Sequence, residues 1–168
     1  MGIDPSIPLK IKFEDLLQFS AYDNNGKLHG IFADMLNQAC HILILKCEIV
    51  SKKDDSWSEM YADLVNQKID ILGPVTISPE RNKDMYFSPR YFSTEAIMVK
   101  RSGYRDATYK NVSEMIIERI SVIKGDYYDQ LLTKMLPQKG LVKLHSREEQ
   151  IQSLLDGKTD YAVRCFSR

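Results

Sequence analysis

Short strand-like runs alternate with amphipathic helical segments along most of the chain, and this alternation limits the possible folds more than any other feature. Leu9-Lys-Ile-Lys-Phe13 alternates apolar and basic residues with period two, as a half-buried strand does. Phe19 to Tyr22 and Lys27 to Ile31 flank Asp23-Asn-Asn-Gly26, whose Asn and Gly residues tolerate the positive φ of a tight turn, so a hairpin is predicted there. From Phe32, the residues Met35, Leu36, Ala39 and Cys40 recur at helical spacing and are followed by the strand-like Lys46 to Val50. Trp57, Met60, Tyr61, Leu64 and Val65 mark one face of a helix over Trp57 to Asn66, which runs into a short strand, Ile69 to Gly73.

The second half repeats the grammar without repeating the sequence. Ala96 to Lys100, Ile120 to Ile123, Leu141 to Leu144 and Tyr161 to Val163 have strand character. Tyr127 to Leu136 and Arg147 to Asp156 have helical character, the latter ended by Gly157. Parallel neighbours need crossover helices, so the pattern implies an α/β chain with two small, mostly parallel sheets. The boundary is placed within Pro89 to Glu95, giving one lobe over 1–92 and a second over 93–168, joined by an extended strand across a cleft.

At 168 residues, with 43% hydrophobic and 27% charged content, the chain is long enough to bury a core. Its 23 basic and 23 acidic residues cancel, which argues against nucleic acid or an anionic membrane surface as partner. A run such as Ile42 to Leu45 is four residues long, far short of the ~20 needed to span a bilayer, so no membrane insertion of this segment is expected. No basic region followed by an apolar stretch opens the chain; any secretion signal is expected to have been removed. Cys40, Cys47 and Cys165 show no CxxC spacing. Free buried thiols are expected in preference to one disulfide plus one thiol. His29, His41 and His145 are scattered without ligand spacing, and neither a P-loop nor GxSxG occurs, so no metal and no cofactor is expected.

The most informative stretch is Gly73-Pro-Val-Thr-Ile-Ser-Pro-Glu-Arg81. It follows a strand, Ser78 suits an N-cap, and Pro79 suits the first position of a helix that would carry Arg81 in its first turn. Free N–H groups of a helix N-terminus, the Thr76 hydroxyl and a guanidinium fork would together receive a carboxylate. A solvated Arg81 is the bland alternative.

FSAYDNNGKLHGIFADML, then Trp57, then KIDILGPVTISPERNKDMYFSPRYF stand in an order and spacing that resembles the type II periplasmic (extracellular) solute-binding proteins, in the family that binds polar amino acids and opines. Ile120-Ser-Val-Ile-Lys-Gly125 and Ile151 to Val163 extend the resemblance, which covers residues 9 to 165. It implies a two-lobed Venus-flytrap in a periplasmic or extracellular location. The implied activity is non-enzymatic binding of a small solute, an amino acid or related carboxylate. It further implies Arg81 as the clamp on the ligand's α-carboxylate, assisted by Thr76, with Pro74 offering a carbonyl but no N–H. Trp57 would pack on the ligand side chain, or else in the core. Asp126 and Tyr127 would close over the ligand from the second lobe, although Asp126 also suits a plain N-cap.

The departures from the family matter as much. Where the family usually places an aspartate for the ligand's ammonium, this chain has Cys165, preceded by Arg164. Where it often places an aromatic, the chain has Leu16, so Glu14 or Asp15 would supply any acid. The chain ends at Arg168, where the family continues through a second hinge strand; a C-terminally truncated first lobe lacking its return segment is therefore expected. The implied partners are a small-molecule ligand and either an ABC permease or an attached sensor kinase or cyclase. Alternatives on the same scaffold are an enzyme of the cyclohexadienyl dehydratase type and a regulatory module of a peptidoglycan lytic transglycosylase.

Overall fold

The computed structural model describes residues 4–16 and 19–166. The chain divides into two compact units, Met1–Phe87 and Ser88–Arg168, each with its own sheet and core.

In the first unit, three parallel strands form a sheet in the order β4-β1-β5: β1 (Leu9–Phe13), β4 (Cys47–Ile49) and β5 (Ile71–Gly73). The short strands β2 (Ala21–Tyr22) and β3 (Leu28–His29) make the predicted hairpin, with Gly26 at φ +76° in its turn. Helices α1 (Ile31–Ile42) and α2 (Trp57–Val65) provide the crossovers between the parallel strands. The period-two pattern of β1 puts Ile11 and Phe13 on one face. There they join Leu28, Phe32 and Ala33 in the core, with Phe19 stacked on Phe32 at 5.3 Å between ring centroids. Burying Ile11, Phe13, Leu28 and Phe32 contributes about 1.5–3 kcal/mol each.

α2 begins with a capping box, in which the Ser56 side chain accepts from the Glu59 N–H while the Glu59 carboxylate accepts from the Ser56 N–H. α1 ends at Ile42 and is followed by a left-handed Ile44 (φ +54°); across this turn Cys40, in the last turn of α1, forms a disulfide with Cys47 at the start of β4. This corrects the expectation of free thiols. The helix-to-strand turn brings the two Cα atoms to 6.3 Å, within bridging range, whereas Cys165 remains a free thiol.

The second unit carries a four-stranded sheet in the order β6-β9-β7-β8. β7 (Ile120–Ile123) runs parallel to β8 (Val142–Leu144) and β9 (Tyr161–Phe166), while β6 (Glu95–Lys100) is antiparallel to β9. α3 (Tyr127–Met135) and α4 (Arg147–Leu155) are capped by Asp126 and Ser146, whose side chains accept from the N–H groups of Asp129 and Glu149. Met115, Ile120, Val122, Leu132, Tyr161 and Val163 form the core. Arg101 closes the far end of α4 by donating to the carbonyls of Leu154 and Thr159. Among the described residues, no helix is long and apolar enough to cross a membrane.

Candidate functional site

Because β1, β4 and β5 are parallel, their C-terminal ends share one edge of the first sheet, the usual location of ligand sites in open α/β sheets. Glu14 follows β1, Ser51 follows β4, and Pro74 follows β5 through a cis peptide bond. The Glu14 N–H donates to the Gly73 carbonyl at 3.0 Å, which places Glu14 beside the Gly73–Pro74 turn. A Cβ on Gly73 would lie 3.3 Å from the Phe13 ring, so the close approach of the two strand ends favours glycine there. Ser51 knits the edge together, its hydroxyl accepting from the Phe13 N–H at 3.0 Å and contacting the Tyr22 hydroxyl.

The chain beyond Pro74 differs from expectation. The N-cap position falls on Glu80 rather than Ser78, although the Ser78 hydroxyl accepts from the Arg81 N–H at 3.3 Å and its carbonyl from the Asn82 N–H at 3.1 Å. The helix that follows is a single 3-10 turn, Arg81–Lys83. One such turn offers no helix N-terminus with several aligned donors, so the expected contribution of helix N–H groups is withdrawn. The guanidinium is what remains of the predicted receptor.

Arg81 is only 2% exposed, turned inward rather than toward bulk water. Its Nη1 donates to the Thr76 carbonyl at 3.2 Å; the Thr76 side chain itself lies at the surface. The guanidinium carbon stands 5.1 Å from the centroid of the Trp57 ring and 5.8 Å from that of Tyr61, so the cation rests against two aromatic faces one helical turn apart on α2. Contacts of this kind are worth about 2 kcal/mol when shielded from water. Tyr61 is anchored in turn, its hydroxyl donating to Asp84 Oδ2 at 2.8 Å. Burial and the Asp84 carboxylate both raise the Tyr61 pKa, so the phenol keeps its proton. Tyr61 was legible only as part of an apolar helix face, and its i, i+4 spacing from Trp57 is the one clue to the pair.

In the second unit, the Lys124–Asp126 turn follows β7, with Gly125 at φ +77°. Asp129 Oδ2 accepts from the Gly125 N–H at 2.8 Å, and Lys143 pairs with the other Asp129 oxygen at 2.8 Å. Asp126 uses a carboxylate oxygen to cap α3, and Tyr127 meets Tyr128 edge to face at 5.4 Å. Cys165 Sγ lies 3.5 Å from the Tyr128 hydroxyl, whose pKa is driven up by burial first and by the thiol second. Arg81, Thr76, Trp57, Pro74 and Glu14 thus belong to the first unit, and Asp126 and Tyr127 to the second. Among the described residues, no group of three or more His, Cys, Asp or Glu side chains could hold a metal ion.

The L-arginine-binding protein of Pseudomonas aeruginosa is 27% identical over 148 residues, 86% of this chain, and the chain spans only 55% of that relative's length. Among solved structures, that of a VC protein is 43% identical with a TM-score of 0.75, 97% of this chain matching 36% of that one. An ancestral arginine-binding protein bound to glutamine is 26% identical with a TM-score of 0.81, 98% of this chain matching 71% of that one. The fold is the α/β periplasmic binding protein fold. The model of the bacterial extracellular solute-binding proteins, family 3, matches residues 13–138, three quarters of the chain, and the protein belongs to that family.

Proposed function

We propose that the chain is a non-catalytic binding domain for a small polar solute, an amino acid or related carboxylate, whose carboxylate is held by Arg81. The observation that carries this reading is the guanidinium itself, inward-facing and oriented by Trp57 and Tyr61 at the C-terminal edge of the first sheet. A guanidinium is charged at every physiological pH, and its planar fork matches a carboxylate. Thr76 and Pro74 shape the loop around it, Trp57 supplies an apolar face, and Glu14 offers an acid. Asp126 and Tyr127 are the residues proposed to contribute from the second unit.

The arginine-binding relatives support a cationic amino acid as the first candidate, which Glu14 would suit. Cys165 stands where the resemblance calls for an ammonium-binding carboxylate, which keeps opines and simple carboxylates in play. Membership of an extracellular family supports a periplasmic or extracellular setting, with output to an ABC permease or to an attached signalling domain.

A thermal-shift screen with L-arginine, L-glutamine, the other amino acids, opines and small carboxylates tests the proposal. A ligand at 100 times its Kd stabilises by about 2.7 kcal/mol. A hit that disappears in Arg81→Ala is the expected result. If no carboxylate moves the midpoint, or if Arg81→Ala binds as well as the parent, the proposal fails. Turnover of a hit would replace it with an enzyme of the dehydratase type.

A further inference from the structure

We infer that Lys12 is a positioning residue for this site: its ammonium clamps the α2 segment at two points, Asp55 and Asp63, and so sets the Trp57–Tyr61 face against which Arg81 lies. The inference rests on the reading of Arg81 proposed above.

Lys12 sits in β1, the central strand of its sheet, on the face opposite Ile11 and Phe13. A lysine there is unusual, since its side chain is only 14% exposed and an ammonium leaves water at a cost unless it is paired. Lys12 Nζ lies 3.0 Å from Asp55 Oδ2 and 2.9 Å from Asp63 Oδ2, so two of its three N–H bonds are directed to carboxylates. Burial opposes the charge on Lys12, and its hydrogen bonds to Asp63 and Asp55 outweigh that effect, leaving its pKa above the ordinary lysine value.

The placement of the two acids gives the pairing its consequence. Asp55 immediately precedes the N-cap Ser56, and Asp63 lies near the end of α2. Trp57 and Tyr61 fall between these anchors, so a helix held by both acids can neither swing nor slide without carrying the aromatic pair with it. Each acid is also tied elsewhere: Asp55 accepts from the Lys52 N–H at 3.1 Å, and Asp63 pairs with Lys68 at 3.3 Å. Lys12 is therefore the link from the central strand to both. Replacing it with a neutral residue leaves two carboxylates facing one another across the vacated position, and their repulsion acts directly on α2.

Trp57 is the only tryptophan in the 168-residue sequence, so its fluorescence reports the proposed effect in this chain without any ligand. In Lys12→Met, the Trp57 emission is expected to shift to the red and its quenching by iodide to rise, while far-UV circular dichroism stays that of the parent. Affinity for L-arginine, used as the probe, should fall about tenfold. Lys12→Arg, which keeps the charge and the donors, should restore both readouts. A Lys12→Met protein that melts earlier but keeps the parental Trp57 emission and quenching would show a merely structural lysine and overturn the inference. Should Lys12→Met fail to fold, Asp55→Asn and Asp63→Asn each remove one anchor and should shift Trp57 part of the way; parental spectra in both would also overturn it. If the parent binds no L-arginine, that bears on the proposed function, while the Trp57 readout still decides the role of Lys12.

Discussion

Arg119 grips Asp160 at three points: Nε and the backbone N–H donate to one carboxylate oxygen at 3.0 and 2.8 Å, and Nη2 donates to the other at 2.9 Å. The Arg119 hydrogen bond is the main reason that the Asp160 pKa falls from 3.8 to about 2. A carboxyl whose folded pKa is depressed stabilises the fold above its unfolded pKa and loses that contribution as pH falls toward the folded value. The Arg119 side chain is 52% exposed, so solvent screening holds the contribution to about 1 kcal/mol. Denaturant titrations of the parent and Asp160→Asn should therefore differ at pH 7 and converge between pH 4 and pH 2.

The bridge from Cys40 to Cys47 closes a short loop at the end of α1. Loop-closure entropy for a ring of this size predicts a loss of about 2–3 kcal/mol on its removal. Guanidinium unfolding of the Cys40→Ala/Cys47→Ala double variant, and of the parent in reductant, should show the same drop in midpoint. A loss seen only in the double variant would assign the effect to packing of Cys40 rather than to the crosslink.

Gly30, which precedes α1, has φ +120°, and a Cβ there would stand 2.3 Å from the Phe19 carbonyl oxygen. That oxygen also accepts from the Phe32 N–H, so the obstacle is fixed backbone. Gly30→Ala should destabilise by at least about 2 kcal/mol through strain and lost helix-start geometry. Gly26→Ala, with open space around it, should cost less. Thermal midpoints of the two variants check the ordering.

Tyr61→Phe removes the hydrogen bond to Asp84 but keeps the ring beside Arg81. A stability loss of about 0.5–1.5 kcal/mol is expected, with ligand affinity little changed. Tyr61→Ala removes the face as well and should weaken binding further. Calorimetric titration of both variants with the ligand found by the screen separates the hydroxyl from the ring.

Much of this architecture was legible because its signals are local and periodic. The alternation in Leu9–Phe13 placed β1, the Asp23–Gly26 turn placed the hairpin, and the apolar face from Trp57 to Val65 placed α2. The helix expected after Ser78 and Pro79 stops after one turn because start signals alone do not sustain a helix. Beyond Arg81 there is no apolar stripe to bury, and Tyr86 is fully exposed. The disulfide and the Arg81–Trp57–Tyr61 stack were hidden for a different reason. Each depends on where a turn or crossover delivers its residues, and spacing does not encode that. The role proposed for Arg81 came from a resemblance between motifs; Tyr61 showed only as part of an apolar helix face, Lys12 only as a polar position of an alternating strand, and Ser51 carried no local mark.

The pairing of the sheets bears on how the chain is made. β1 is synthesised well before its partners, Cys47–Ile49 and Ile71–Gly73. A nascent chain leaving the ribosome must keep Leu9–Phe13 unpaired until residue 49 has emerged and its second edge open until residue 73, and β6 must likewise wait for β9. Both sheets thus close late and by long-range contacts, a topology that folds slowly and leaves apolar strands open to aggregation or chaperone capture during synthesis.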